Sequence, residues 1–206
     1  PRSRGLGDVY KRQVMILSSN SIEFALLTMA AMQARAPVAP VSPAYSVMSQ
    51  DHAKLKYVFD LIKPGLVFVQ NGEIYAGALD ALDLDGVIIV HVDKPPPKRQ
   101  SLPFSELVAT RATEAVQRSL DQIGPTTVGK FLFTSGSTGM PKAVINTQEM
   151  MCANIAMGQM ARVRQAEDPS PVQLDWLPWN HTMGGNATFQ GNLAEGGTTY
   201  IDDGKP

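Results

Sequence analysis

The chain holds a single cysteine, Cys152, among 206 residues. This excludes an intramolecular disulfide framework and fits a reducing, cytoplasmic compartment. Cys152 sits in a Met-rich helical pattern, where a buried structural thiol is expected rather than a nucleophile. No apolar run approaches the ~20 residues of a bilayer-spanning helix, so no membrane partner is expected. Neither sign of charge dominates: 18 basic against 19 acidic residues give a net charge of −1, which implies no nucleic-acid surface. Histidines number three, and His52 and His91 lack motif context and are expected on surfaces. No internal repeat is visible. What remains, 44% hydrophobic and 18% charged residues, is the composition of an ordinary globular chain long enough to bury one core.

Strands and helices alternate along it. Residues 14–17 read as a buried strand. Asn20 followed by Glu23 three positions later is a helix start of capping-box type, and the mostly apolar helix 21–33 should be buried on most faces. An extended segment over 36–41 is kept non-helical by its prolines. Leu55, Val58, Phe59 and Ile62 fall at i, i+3, i+4 and i+7, marking an amphipathic helix over 50–62 that Pro64-Gly65 stops. Strand 66–70, helix 73–82 and strand 86–90 follow. Residues 94–100, with three consecutive prolines, read as a linker between subdomains, and 104–109 and 113–120 as exposed helices. Thr147 is a plausible N-cap for a helix over 148–161. Residues 174–177 read as a strand delivering His181, and 198–201 as another. The pattern is α/β with a mostly parallel sheet.

The densest chemistry lies at residues 134–142, Thr-Ser-Gly-Ser-Thr-Gly-Met-Pro-Lys, between an apolar run and a β-branched run. Gly136 and Gly139 allow positive φ and close backbone approach. Successive N–H groups can then converge on an anion. Thr134, Ser135, Ser137 and Thr138 add hydroxyl donors, and Lys142 a mobile positive charge. Hydrogen bonds to a charged group contribute about 1.5–3 kcal/mol each, so a few of them hold a polyphosphate against water. This is not a Walker A loop, which opens into a helix; here Gly139 leads through Met140-Pro141 into an apparent strand. The Rossmann glycine pattern is absent too.

The stretch 131–142 resembles the phosphate-loop signature of the adenylate-forming superfamily: acyl- and aryl-CoA synthetases, peptide-synthetase adenylation domains and beetle luciferases. Residues 177–185, Leu-Pro-Trp-Asn-His-Thr-Met-Gly-Gly, resemble that family's Pro-x-x-His-x-x-Gly segment, which lines the acyl pocket. A weaker likeness covers residues 20–24 and 39–45. Within the superfamily, the wording around residues 145–147 and 176–203 is most similar to feruloyl-CoA synthetases. The resemblance implies layered α/β/α subdomains of the large N-terminal domain, incomplete, over residues 14–206. Residues 1–13 are polar, basic and without helix or strand period, and read as a non-native, adapter-like segment. Without its four basic and one acidic residues the balance is 14 to 18, net −4. The other end, just after the strand-like 198–201, reads as that of a fragment.

The resemblance further implies an ATP-dependent, AMP-forming acid–thiol ligase using ATP, Mg2+ and CoA on a small carboxylic acid, with ferulate or another hydroxycinnamate favoured. Residues 134–139 would hold the β- and γ-phosphates, and Lys142 would neutralise charge developing on pyrophosphate. His181 would stand between nucleotide and acyl site, in a pocket with Met183, Gly184 and Gly185, the glycines giving an aromatic acid close backbone approach. Trp176 and Trp179 fit pocket lining and core packing equally. The family's later motifs, which bind adenine and ribose, form the hinge and supply the late lysine, are absent from these residues, so the chain alone is expected not to adenylate. Two other readings remain open: an adenylating enzyme for another acid or acceptor (a fatty acid, a carrier-bound amino acid, a luciferin), or a non-catalytic phosphate-binding module.

Overall fold

In a computed structural model, residues 13–134, 139–161 and 169–202 are described. The central strand β1 (Val14–Leu17) is buried at every position. Such unbroken apolar runs belong to parallel strands covered on both faces. After it come helix α1 (Ile22–Gln33), strand β2 (Val38–Pro40), helix α2 (Ala53–Ile62), strand β3 (Leu66–Asn71), helix α3 (Ala76–Asp80) and strands β4 (Ile88–Asp93) and β5 (Leu102–Pro103). Short helices α4 (Phe104–Ala109) and α5 (Glu114–Leu120) lead into β6 (Val128–Thr134) and β7 (Lys142–Thr147). The seven strands form one sheet in the order β5-β4-β3-β1-β2-β6-β7. All neighbours are parallel except the hairpin β6–β7.

Alternation along the strands sorts the core into two layers. Met15, Leu17, Val67 and Val69 face α2, where Leu55, Val58, Phe59 and Ile62 form the expected stripe. Val14, Ile16, Phe68 and Val90 face α1 through Phe24, Leu27 and Ala31. The α/β/α layering implied by the sequence is therefore present. Helix α6 (Gln148–Met160) follows β7, with Thr147 accepting from the Met150 N–H as its N-cap. Strands β8 (Val172–Asp175) and β9 (Thr198–Ile201) make a separate parallel pair, bridged by a π-helix (Met183–Gln190) and the short α7 (Gly191–Ala194).

Several expectations change. Helix α1 is capped by Ser21, whose hydroxyl accepts from Phe24 N–H, and not by Asn20. Only the face toward the sheet is buried; Ile22 and Leu26 are exposed, because one sheet covers one side of a helix. Helix α3 starts later than residue 73 because the Asn71 side chain accepts from the N–H groups of Glu73 and Ile74 and holds them in a turn. Residues 94–100 do not separate subdomains: they join β4 to β5 inside one sheet, with the Lys94–Pro96 backbone packed on Gly72. Phe104 of α4 is buried against Phe68. His91 is buried in β4, and Cys152 is exposed on the outer face of α6.

Candidate functional site

The β6–β7 hairpin frames the phosphate-loop sequence. Its register pairs Phe133 with Ala143 and Thr134 with Lys142, so the last residue before the loop and the lysine after it stand opposite each other. Both are exposed. Gly139 has φ of 101° with open space around the position of a Cβ, the left-handed region where glycine is favoured. Ser135, Gly136, Ser137 and Thr138 lie outside the described residues. No ion pair to Lys142 is present among the described residues. Gly139 and Met140 line an open cavity of about 530 Å³ together with Tyr45, Asp51 and Lys54.

A second construction holds the segment around His181. Asn20, just beyond β1, donates from Nδ2 to the Leu177 carbonyl at 2.8 Å and accepts at Oδ1 from the Trp179 N–H at 2.9 Å. One amide side chain thus pairs with the loop as a neighbouring strand would. Asp175 holds the loop from the other end. Its Oδ2 accepts from Trp179 Nε1 at 2.8 Å and Thr188 Oγ1 at 2.9 Å, and its Oδ1 from Leu177 N–H. The Trp179 ring stacks on Phe189 at 4.4 Å and meets Phe24 edge-on at 5.5 Å. Replacing Asn20 by Ala leaves one carbonyl and one N–H of the loop without these partners. It is expected to lower unfolding free energy by about 1–3 kcal/mol, measured by denaturant titration.

His181 follows, exposed, with its N–H donating to the Pro178 carbonyl and its own carbonyl accepting from Gly185 N–H at 2.8 Å. Nδ1 accepts from Met183 N–H at 3.4 Å. In the neutral ring this leaves the proton on Nε2, which is free to donate outward. Gly184 and Gly185 are buried, and a Cβ on either would run into the carbonyls of Pro178 or Trp179. On this side the glycines admit protein backbone, where the sequence suggested approach of an aromatic acid. His181 lines a cavity of about 460 Å³ with Ser19, Asn20, Ser42, Trp176 and Asp202. Met183, Gly184 and Gly185 are not in its wall, nor are Thr134, Gly139 and Lys142. The two tryptophans divide: Trp179 is core, and Trp176 is exposed at the cavity. The cavity opens beyond the carboxyl ends of β1 and β2, where open α/β sheets place ligands.

Lys130 of β6 escaped sequence reasoning, although a lysine between Gly129 and Phe131 in a doubly covered strand is a visible signal. It is 2% exposed. Its Nζ donates to the Gly185 carbonyl at 3.1 Å, and no carboxylate among the described residues pairs with it. Burial lowers its pKa from 10.5 to about 7, because the charged form has lost its water. Asn20 and Asp175 were likewise missed as site supports; the partners of Asn20 lie more than 150 residues away, and those of Asp175, within 13 residues, are brought to it only by the fold of the loop.

The sequence profile of the AMP-binding enzymes matches residues 3–206. The chain belongs to the AMP-binding enzyme family. Among curated relatives, 4-coumarate–CoA ligase 3 of Arabidopsis thaliana is 28% identical over 203 residues, covering 95% of this chain and 32% of the relative. 4-Coumarate–CoA ligase CCL1 of Humulus lupulus is 31% identical over 154 residues, covering 73% of this chain and 25% of the relative. The chain thus spans about a third or less of the length of these relatives. Among solved structures, a red-emitting luciferase from Phrixothrix hirtus superposes with a TM-score of 0.73 at 18% identity, over 93% of this chain and 46% of that one. ATP-bound MatB from Rhodopseudomonas palustris gives 0.63 at 22% identity, over 93% and 35%. At these identities the two structures establish the fold: that of the N-terminal domain of adenylate-forming enzymes, in part.

Proposed function

We propose that this chain is the phosphate-loop-bearing part of an ATP-dependent, AMP-forming CoA ligase acting on an aromatic carboxylic acid, with ferulate or another hydroxycinnamate as the preferred class. The observation that carries the reading is the hairpin register that sets Thr134 against Lys142 across a loop of hydroxyls and glycines. The two 4-coumarate–CoA ligase relatives support an aromatic acid, and the likeness of residues 176–203 to feruloyl-CoA synthetases narrows it.

A carboxylate is a poor electrophile toward a thiol, so the acid is first joined to AMP with loss of pyrophosphate. CoA then displaces AMP to give the thioester. The chain's part in the first step is positioning and charge neutralisation. The loop 134–139 holds the β- and γ-phosphates, and Lys142 offsets charge developing on the departing pyrophosphate. His181, with Nε2–H directed outward, donates to the carboxylate or phosphate at the boundary of the two sites. Mg2+ would accompany the phosphates. Among the described residues no group of three or more His, Cys, Asp or Glu is placed to hold a metal; besides phosphate oxygens, the ion's ligands would be mostly water and carboxylate oxygens. Met183, Gly184 and Gly185 are assigned to the frame of the acyl pocket.

The test is a calorimetric titration of the chain with MgATP and, separately, magnesium pyrophosphate. Lys142→Ala is expected to weaken binding by about tenfold or more, the worth of one charge-assisted hydrogen bond. Equal affinity in wild type and variant would remove Lys142 from its role. In the longer ligase, the same substitution is expected to slow acid-dependent ATP–pyrophosphate exchange with ferulate.

A further inference from the structure

Lys130 and Asn146 sit directly opposite each other in the register of β6 and β7. Residues so paired project from the same face of the sheet. Both are buried, and both reach the π-helix at consecutive positions. Lys130 Nζ donates to the Gly185 carbonyl at 3.1 Å, and Asn146 Oδ1 accepts from Asn186 Nδ2 at 2.8 Å. Asn146 is itself held, its Nδ2 donating to the Val144 carbonyl at 2.9 Å. Thr134 and Lys142 are the register pair four residues further along the same hairpin. Four is an even step, so they stand on the same face, about 13 Å along the strands. In the other direction the link continues through the backbone: Gly185 N–H binds the His181 carbonyl at 2.8 Å. Two polar contacts thus tie the hairpin that carries the phosphate loop to the turn that carries His181.

We propose that Lys130 and Asn146 are positioning residues, a two-point clamp that fixes the π-helix on the hairpin and couples occupation of the phosphate loop to the stance of His181. The clamp rests on this geometry; only the ligand of the loop rests on the function proposed above. A buried lysine with no counter-ion among the described residues is a costly way to fill a strand position, and an apolar residue there would leave the Gly185 carbonyl without this donor. What the lysine provides is reach across the layer to one carbonyl. The Asn146–Asn186 contact, one residue on, prevents rotation about that single point.

The test uses the 206-residue chain, wild type, Lys130→Met and Asn146→Ala, with amide hydrogen exchange resolved by residue and magnesium pyrophosphate as the probe. Lys130→Met is expected to speed exchange at Gly185 and the following turn by about tenfold relative to the β1–β3 core, the loss of one hydrogen bond. In wild type, saturating pyrophosphate is expected to change protection across residues 181–190; in Lys130→Met, saturated likewise, that change should be absent. Unaltered exchange at Gly185 in both variants would overturn the clamp. Bound pyrophosphate with no response at 181–190 in wild type would overturn the coupling. Failure of wild type to bind pyrophosphate would sink the phosphate-loop reading and the coupling with it, while the clamp is still decided at Gly185. Should Lys130→Met not fold, the Lys130 Nζ protons of wild type decide: slow solvent exchange is expected, and exchange as fast as at a surface lysine would overturn the proposal.

Discussion

From pH 7 to about pH 10 the chain is expected to become more stable, and Lys130→Met is expected to flatten that rise. In the unfolded chain Lys130 keeps its proton up to its ordinary pKa of 10.5, whereas in the folded chain burial lowers the value to about 7. Between those pH values the unfolded state binds the extra proton, so raising the pH favours the folded state. The gain is absent below about pH 7 and complete above the unfolded value; a shift of this size corresponds to at most about 5 kcal/mol. Tyr75 opposes it at the alkaline end. Burial pushes its phenol up from 10.0 to about 12, so above pH 10 the unfolded state sheds a proton that the folded state retains, and stability falls. A maximum near pH 10 follows for wild type. In Lys130→Met only the alkaline fall should remain. Denaturant midpoints at pH 7, 8.5, 10 and 11 measure both limbs, and a wild-type midpoint that does not move between pH 7 and 10 would contradict burial of the Lys130 amine.

Trp179→Ala is expected to cost about 3–5 kcal/mol, the range for removing a large aromatic from a core. The ring is 2% exposed and is gripped by Phe189, Phe24 and the Asp175 carboxylate. The milder Trp179→Phe keeps a ring in the stack but withdraws the Nε1 donor, leaving a buried carboxylate with one partner fewer; about 1–3 kcal/mol is expected. Trp176 remains as an exposed fluorophore to follow unfolding of both variants. Equal stability of Trp179→Ala and wild type would show that the 177–190 segment does not contribute to the cooperative core.

The layered α/β architecture was legible because it rests on local periodicity. The Leu55–Ile62 stripe and the apolar runs of β1 and β3 state their burial without reference to anything distant. Residues 131–142 and 177–185 stood out in the sequence as motifs. The supports of the site did not. Asn20 looked like a helix cap because Asn before a helix usually is one, and its partners lie more than 150 residues away. The glycines at 184 and 185 suggested access for a ligand, yet their near neighbours are the carbonyls of Pro178 and Trp179, set by a tertiary fold of the loop that no spacing encodes. His91 was expected at the surface because a lone histidine carries no pattern; membership of a strand flanked by two others decides its burial.

The Asn20 tie also sets an order of events in time. It joins residues 159 positions apart. At translation speeds of about 5–20 residues per second, β1 and α1 exist for roughly 8–30 s before Trp179 has been made. Throughout that interval the side of Phe24 that Trp179 later covers lacks that ring. The nascent protein therefore carries a bare aromatic patch through that interval, and completion of the His181 turn is what retires it.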